Sequence, residues 1–219
     1  MLNHAGPTSG RVLDPIDRVS EILFGLIMVL TFTGSLSVAE ARREEVRTML
    51  IGAIGCNLAW GIIDAVLYLM GILAERGRAL ATFRAVRAAD PEQAQRLIAA
   101  AMPPVLASVA SPAELSALHD RLRQLPDPPR RTGLGKRDWL GAAGVFLLVF
   151  GSTFPVVVPF LVMRSAVPAL RVSNAVAIVM LFVLGHAYGR MTGTRPALVG
   201  AAMVVLGAAL VGLTIALGG

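Results

Sequence analysis

Long apolar stretches, separated by short charged ones, form the main pattern of the chain. Residues 19–38 and 48–73 form two nearly uncharged stretches, and residues 139–163, 169–188 and 196–217 form three more. Each has roughly the 20 residues that a helix needs to cross a hydrocarbon core of about 30 Å. The pattern predicts an all-α, polytopic membrane protein of about five transmembrane helices.

A more polar segment lies between the second and third apolar stretches. In residues 74–138 arginine becomes frequent and apolar residues become intermittent. Asp90 before Pro91 and Ser111 before Pro112 are both typical of a helix N-terminus. We therefore expect this segment to form two or three short amphipathic helices outside the bilayer.

These patterns divide the chain into four parts. They are an N-terminal cytosolic tail (1–18), transmembrane helices 1 and 2 (19–73), a cytosolic helical segment (74–138) and transmembrane helices 3 to 5 (139–219). Pro155 and Pro159 should kink or break the third span, because proline lacks the N–H that a helix interior uses.

The basic residues predict an orientation. The formal net charge is +6, from 20 Lys+Arg against 14 Asp+Glu. With a cytoplasmic N-terminus, all but five of the basic residues lie on the inner side, which is the bias that the positive-inside rule describes. The five others are Arg42, Arg43, Arg47, Arg164 and Arg171. Because the charges flank apolar spans, we expect a lipid bilayer and no nucleic acid as partner.

Asp64 is the most informative polar residue, because a carboxylate in the middle of a span costs a few kcal/mol on insertion scales. Asn57, Gly61, Asp64 and Tyr68 are spaced i, i+4, i+7 and i+11, and so share one face of a helix. Such a face can bind a cation or relay a proton. A hydrogen-bond network between helices is the alternative interpretation.

The first span offers two further candidates. Glu21 lies near the cytoplasmic edge, where a charge costs little, so a simple helix-end carboxylate is a competing interpretation. Met28 has a thioether that suits a soft or borderline metal, although a lone methionine is more often packing. The predicted metal or proton pathway therefore consists of Asp64, Asn57, Tyr68, Glu21 and Met28.

Gly185, Gly189 and Gly193 form an extended GxxxG pattern in the fourth span. Small residues at this spacing let helices approach closely, although a background rich in glycine and alanine explains the pattern equally well. No GxSxG, HExxH, phosphate-loop or CxxC motif occurs in the chain. We therefore expect neither enzyme activity nor a bound cofactor.

Three stretches of residues 141–218 form a recognisable set: GSTFPVVVPFLV, ALRVSNAVAIVMLFVLGHAYGRMTG and a small-residue fifth span. In these stretches the chain resembles the vacuolar iron transporter (VIT) family. The family plan of five spans, with a cytosolic helical domain between the second and third, fits this chain. The resemblance implies a homodimer that moves Fe²⁺ or Mn²⁺ out of the cytoplasm against protons. It also implies a bacterial-type member in the inner (plasma) membrane, with the metal as substrate.

The chain departs from the family pattern at its candidate site. Met28 stands where the family has an aspartate, three residues after Gly25, whereas Asp64 lies near the carboxylate expected in the second span. The arginines of residues 74–138 should repel divalent cations. Two alternatives stay open: a non-transporting protein of the same fold whose arginine-rich segment binds a partner or anionic lipid, and a channel subunit.

Overall fold

Helices are the only regular secondary structure in the part of the chain that the structure describes. A computed structural model describes residues 13, 15–34, 43–128 and 131–216, and no strand occurs in these ranges. The helices are α1 (Pro15–Gly34), α2 (Arg43–Ala88), α3 (Pro91–Ala101), α4 (Pro104–Val109), α5 (Pro112–Gln124), α6 (Lys136–Gly151), α7 (Thr153–Val162), α8 (Ala166–Met191) and α9 (Pro196–Ala216). The prediction of an all-α polytopic protein is confirmed.

Three stretches of the described chain are long and apolar enough to cross a membrane: Val46–Ala88, Lys136–Val162 and Ala166–Met191. Most residues in the apolar part of each stretch are not buried within the chain, as expected of helices that face lipid. The 20 residues of α1 reach about 30 Å, and α9 contains the shorter apolar stretch Pro196–Leu210. These two helices coincide with the predicted first and fifth spans. Residues 35–42, which include the predicted end of the first span, lie outside the described ranges.

α2 is an unbroken helix of 46 residues. The composition changes near residue 73, the predicted end of the second span, but the helix continues to Ala88. Residues 74–88 contain no proline and are rich in alanine, arginine and leucine, which are strong helix formers. The appearance of charge therefore marks a change in the side chains without ending the helix.

The third span is broken, as its prolines predict. α6 ends at Gly151 and α7 begins at Thr153, with Ser152 between them. The ring of a proline clashes with the carbonyl four residues earlier, and for Pro155 that carbonyl belongs to Gly151. The break therefore lies ahead of the proline that causes it.

The first compact unit comprises Met1–Tyr68 and Lys136–Gly219. Its hydrophobic core joins four helices of the unit through side chains that are almost completely buried. They include Leu26 and Val29 of α1, Ala53 of α2, Val156 and Val157 of α7, and Ala177 and Leu181 of α8. α1 lies centrally, because it contacts α6, α7, α8 and α9. The span that carries Glu21 and Met28 is therefore held on several sides.

α8 and α9 form an antiparallel hairpin in close contact. A Cβ atom on Gly185 would lie 2.9 Å from both Gly200 Cα and Val199 O, and one on Gly189 would lie 2.7 Å from Pro196 Cα. Two glycines of the GxxxG pattern thus allow the helix backbones to approach. Gly193 has a different role: its φ of +70° lies in the left-handed region, which favours glycine, just after the end of α8.

The second compact unit is Leu69–Gly135. Both helix starts expected there are present: the Asp90 side chain accepts from Gln93 N at 2.8 Å, and Ser111 forms a capping box with Glu114. The short helix α4 between them was not predicted. A small core that includes Val86, Ala94 and Ile98 packs the end of α2 against α3 and α5.

Candidate cation pathway

One face of α2 carries the four residues whose spacing suggested a polar stripe. Asn57 is completely buried, Gly61 is buried, and Asp64 and Tyr68 are partly buried. Helical spacing therefore places the stripe on the side of α2 that is turned toward protein. The rest of the intramembrane surface of α2 is largely apolar and exposed, with Ile62 at 53% and Leu67 at 54% of full exposure.

α6 runs antiparallel to α2 along this face. A Cβ atom on Gly61 would lie 3.0 Å from the Phe146 ring, and one on Gly141 would press into the Tyr68 phenol ring. Each helix thus has a glycine against which an aromatic side chain of the other helix packs. These contacts bring the α2 stripe against the third span.

α1 runs antiparallel to α2 at the same level. The rings of Phe24 and Trp60 meet edge to face with centroids 5.6 Å apart. One turn away, the charges of Glu21 and Asp64 interact, and Asp17 adds further negative charge near Glu21. The structure therefore brings two carboxylates from separate helices, both chosen from sequence, into one electrostatic neighbourhood.

The same register places Met28 level with Asn57, one turn beyond the Phe24–Trp60 contact. Tyr68 lies one turn beyond Asp64 in the opposite direction, against Gly141. Along α2 the five predicted residues therefore form three levels: Tyr68, then Asp64 with Glu21, then Asn57 with Met28. The five residues are therefore spread along the length of the span and do not surround a single binding site.

Polar atoms on this path are buried without protein partners. Among the residues that the structure describes, neither Nδ2 nor Oδ1 of Asn57 has a hydrogen-bond partner, and Oδ2 of Asp64 has none. An unsatisfied polar group costs several kcal/mol in a medium that cannot hydrogen-bond. Water molecules would satisfy all three atoms, and a bound cation would satisfy the two oxygens, which is the fit expected of a conduction path.

The donor set constrains what could bind there. Within the described ranges no three His, Cys, Asp or Glu side chains come together in a form suited to a metal. A cation held by Glu21 and Asp64 would take its other ligands from amide, hydroxyl or water oxygens. Such ligands suit Mg²⁺, Ca²⁺ or Mn²⁺, while the Met28 thioether would favour a softer ion.

Sequence reasoning missed three buried polar residues next to this path. Asp138 is 7% exposed in the first turn of α6, and Ser152 and Thr153 are 5% and 0% exposed at the α6–α7 break. Asp138 falls at the end of the predicted cytosolic segment, and the two hydroxyls fall in a span that is otherwise largely apolar. The signal that could have identified the hydroxyls was their position just ahead of a helix-breaking proline.

Comparison with known proteins identifies the class of this helical membrane protein. The profile of the VIT family matches residues 69–219, which is more than half of the chain. The chain belongs to the VIT family, and it is therefore an integral membrane protein of a family of metal-ion transporters rather than enzymes. A search of curated proteins gave no match.

The family match covers the second compact unit and helices α6 to α9. It leaves out residues 1–68, where all five predicted pathway residues lie, so their roles depend on the chemistry of the site itself.

Proposed function

We propose that this protein moves Fe²⁺ or Mn²⁺ across the membrane, out of the cytoplasm and in exchange for protons. Membership of the VIT family supports transport of a metal ion in general. The observation that carries the finer proposal is the antiparallel register of α1 and α2, in which the Phe24–Trp60 contact sets Glu21 level with Asp64.

The pair suits an exchange of cations. Two carboxylates held close together in a span repel each other, and either a proton or a divalent cation between them relieves the repulsion. Binding of the metal and binding of protons therefore exclude one another at the same groups. Such competition is the elementary requirement for coupling an outward metal flux to an inward proton flux.

Tyr68, Asn57 and Met28 extend the path on either side of the pair. The phenol oxygen of Tyr68 would meet the cation on the cytoplasmic side, if the N-terminus is cytoplasmic as the basic residues suggest. The Asn57 amide and the Met28 thioether would receive it on the far side. Amide oxygen suits Mn²⁺ and thioether sulfur suits Fe²⁺, so this level would accept either ion.

We further propose that the protein is a homodimer in the inner (plasma) membrane of a bacterium. The apolar face of α2 would be the contact surface, since Ile51, Ile62, Val66, Leu67 and Met70 are all exposed within the chain. α2 also makes few backbone approaches to the other helices of its unit.

The experiment is metal flux into proteoliposomes, with and without a pH gradient, for the wild type and for Asp64→Asn. Asparagine keeps the size and most hydrogen bonds of aspartate but removes the charge that a cation or proton needs. We expect loss of flux with an unchanged size-exclusion profile, since hydrogen bonds between membrane helices contribute only about 0.6 to 2 kcal/mol.

Asp120→Asn is the matched control, because Asp120 is an exposed carboxylate on α5. It should transport like the wild type. Wild-type flux in Asp64→Asn would assign Asp64 to packing. An absence of metal flux in the wild type would instead favour a non-transporting protein whose arginine-rich segment binds a partner or anionic lipid.

A further inference from the structure

The break in the third span places an unusual hydroxyl group in the protein interior. Thr153, the first residue of α7, is completely buried, and its Oγ1 has no hydrogen-bond partner among the described residues. Its neighbour Ser152 is also buried, yet it donates to the Val149 carbonyl at 2.7 Å. The two adjacent hydroxyls therefore differ, and only that of Thr153 is left for something other than protein.

The α1 contacts show where Thr153 lies along the bilayer. α1 runs parallel to α6, since Gly144 lies against Leu13 and Gly25 lies against Val149 and Ser152. One turn beyond Gly25 on α1 comes Met28, and just beyond Ser152 on the third span comes Thr153. This register places Met28 and Thr153 at the same level.

The contacts between α1 and α2 place Asn57 at this level as well. The Phe24–Trp60 pair sets α1 against α2 so that Met28 is level with Asn57. Asn57 resembles Thr153, because its side chain is also completely buried and its polar atoms also lack partners in the described chain. One level of the molecule thus holds two buried polar side chains from two different spans that lack partners in the described chain, and Met28 of α1 is at the same level.

Packing alone does not account for this pair of side chains. Valine has nearly the shape of threonine and would fill the site without the cost of an unpaired hydroxyl, and leucine would do the same for asparagine. Irregular backbone within a membrane protein is tolerated where it is buried in protein or lines a polar cavity. Hydroxyl and amide oxygens are, in contrast, good neutral ligands for a partly hydrated cation.

We propose that the Thr153 hydroxyl and the Asn57 amide form a second, uncharged binding position for the transported divalent cation, beyond the Glu21–Asp64 pair. This inference rests on the proposed transport function. Conduction requires a cation to bind well enough to enter and weakly enough to leave. A carboxylate pair holds a divalent ion strongly, and a following position with neutral oxygens lets it move on. Thr153 is therefore a ligand of this second position and sets the rate at which the cation is transferred onward.

The test replaces Thr153 with valine, which removes the oxygen and keeps the shape, and with serine, which keeps the oxygen. Mn²⁺ flux is measured in proteoliposomes, together with thermal unfolding in detergent with and without Mn²⁺. We expect Thr153→Val to lower maximal flux about tenfold or more, a loss typical of removing a group that tunes a metal site. Its unfolding temperature without metal should equal or exceed that of the wild type, and Thr153→Ser should keep most of the flux.

Ser173→Ala is the structural control. Ser173 is as deeply buried as Thr153, but it donates to the Val156 carbonyl at 2.7 Å. Removing this satisfied hydroxyl should lower the unfolding temperature and leave the flux per folded protein unchanged. The Mn²⁺-induced rise in unfolding temperature should be smaller in Thr153→Val than in Ser173→Ala, because only the former loses a ligand.

Each outcome decides the proposal. Wild-type flux in Thr153→Val would overturn it, and so would a valine variant that fails to fold, since the hydroxyl would then be a structural partner. If the wild type moves Mn²⁺ and Asp64→Asn does not, a fully active Thr153→Val refutes the second position alone. If the wild type moves no metal, the transport function itself fails.

Discussion

The close approach of α8 and α9 leads to a quantitative stability prediction at Gly185. Replacing this glycine with alanine adds a methyl group whose carbon would lie 2.9 Å from Gly200 Cα, 2.9 Å from Val199 O and 2.8 Å from Met203 Cγ. The Met203 side chain can move away. The two backbone atoms cannot move without displacing α9.

The expected cost can be separated from the helix preference of alanine. Forcing an extra methyl into a packed interface costs about 1 to 3 kcal/mol. Alanine also favours a helix over glycine by about 1 kcal/mol, which partly offsets that cost. Gly212→Ala in α9 measures the preference alone, because nothing lies within 4 Å of a Cβ atom placed there. The two variants should therefore differ in unfolding free energy by about 1 to 3 kcal/mol.

The measurement is unfolding of the purified protein in mixed micelles of increasing sodium dodecyl sulfate content, followed by circular dichroism. Gly185→Ala should unfold at a lower detergent fraction than the wild type, and Gly212→Ala should unfold at the same or a higher fraction. Equal midpoints for the two alanine variants would refute the reasoning, because they would show that α9 does not lie against Gly185.

Three further predictions concern the cytosolic segment and the orientation. Ser111→Ala removes the cap of α5 and should cost about 1 kcal/mol, measured as reduced helix stability by circular dichroism. Hydrogen bonds from the Ser111 N–H and hydroxyl lower the pKa of Glu114, so the stabilisation is present at neutral pH and is lost as pH falls through that lowered pKa. Glu114→Gln should show a weaker acid dependence than the wild type, and an equal dependence would contradict this. A reporter near Pro128 should be cytoplasmic and one after Gly219 external, so finding both on one side would exclude the predicted topology.

Features set by neighbouring residues in the chain were predictable from sequence. Asp90 and Ser111 begin helices because their side chains bond to N–H groups three residues later, and that chemistry is local. The face shared by Asn57 and Asp64 follows from helical periodicity in the same way. Their roles in transport stay predictions, because the structure reports position and burial and the family match begins at residue 69.

Features set by contacts between helices were not predictable. The isolation of the Thr153 hydroxyl depends on how α1 and α8 pack around α7, and periodicity contains no information on that packing. The two interpretations of the GxxxG pattern were equally good from sequence, and only the approach of Gly185 to Gly200 distinguishes them. The change in charge near residue 73 predicts the end of a span and the start of separate short helices, whereas one helix continues through it to Ala88.

The α8–α9 hairpin also has a consequence for biosynthesis. Its turn is closed internally, since Thr194 N donates to the Gly189 carbonyl at 3.0 Å and the Thr192 hydroxyl donates to the Tyr188 carbonyl at 3.0 Å. An antiparallel pair that satisfies its own turn can enter the bilayer from the translocon as one unit, with its two ends on the same side. Such a pair adds two crossings at once, so it leaves the orientation of every preceding span unchanged.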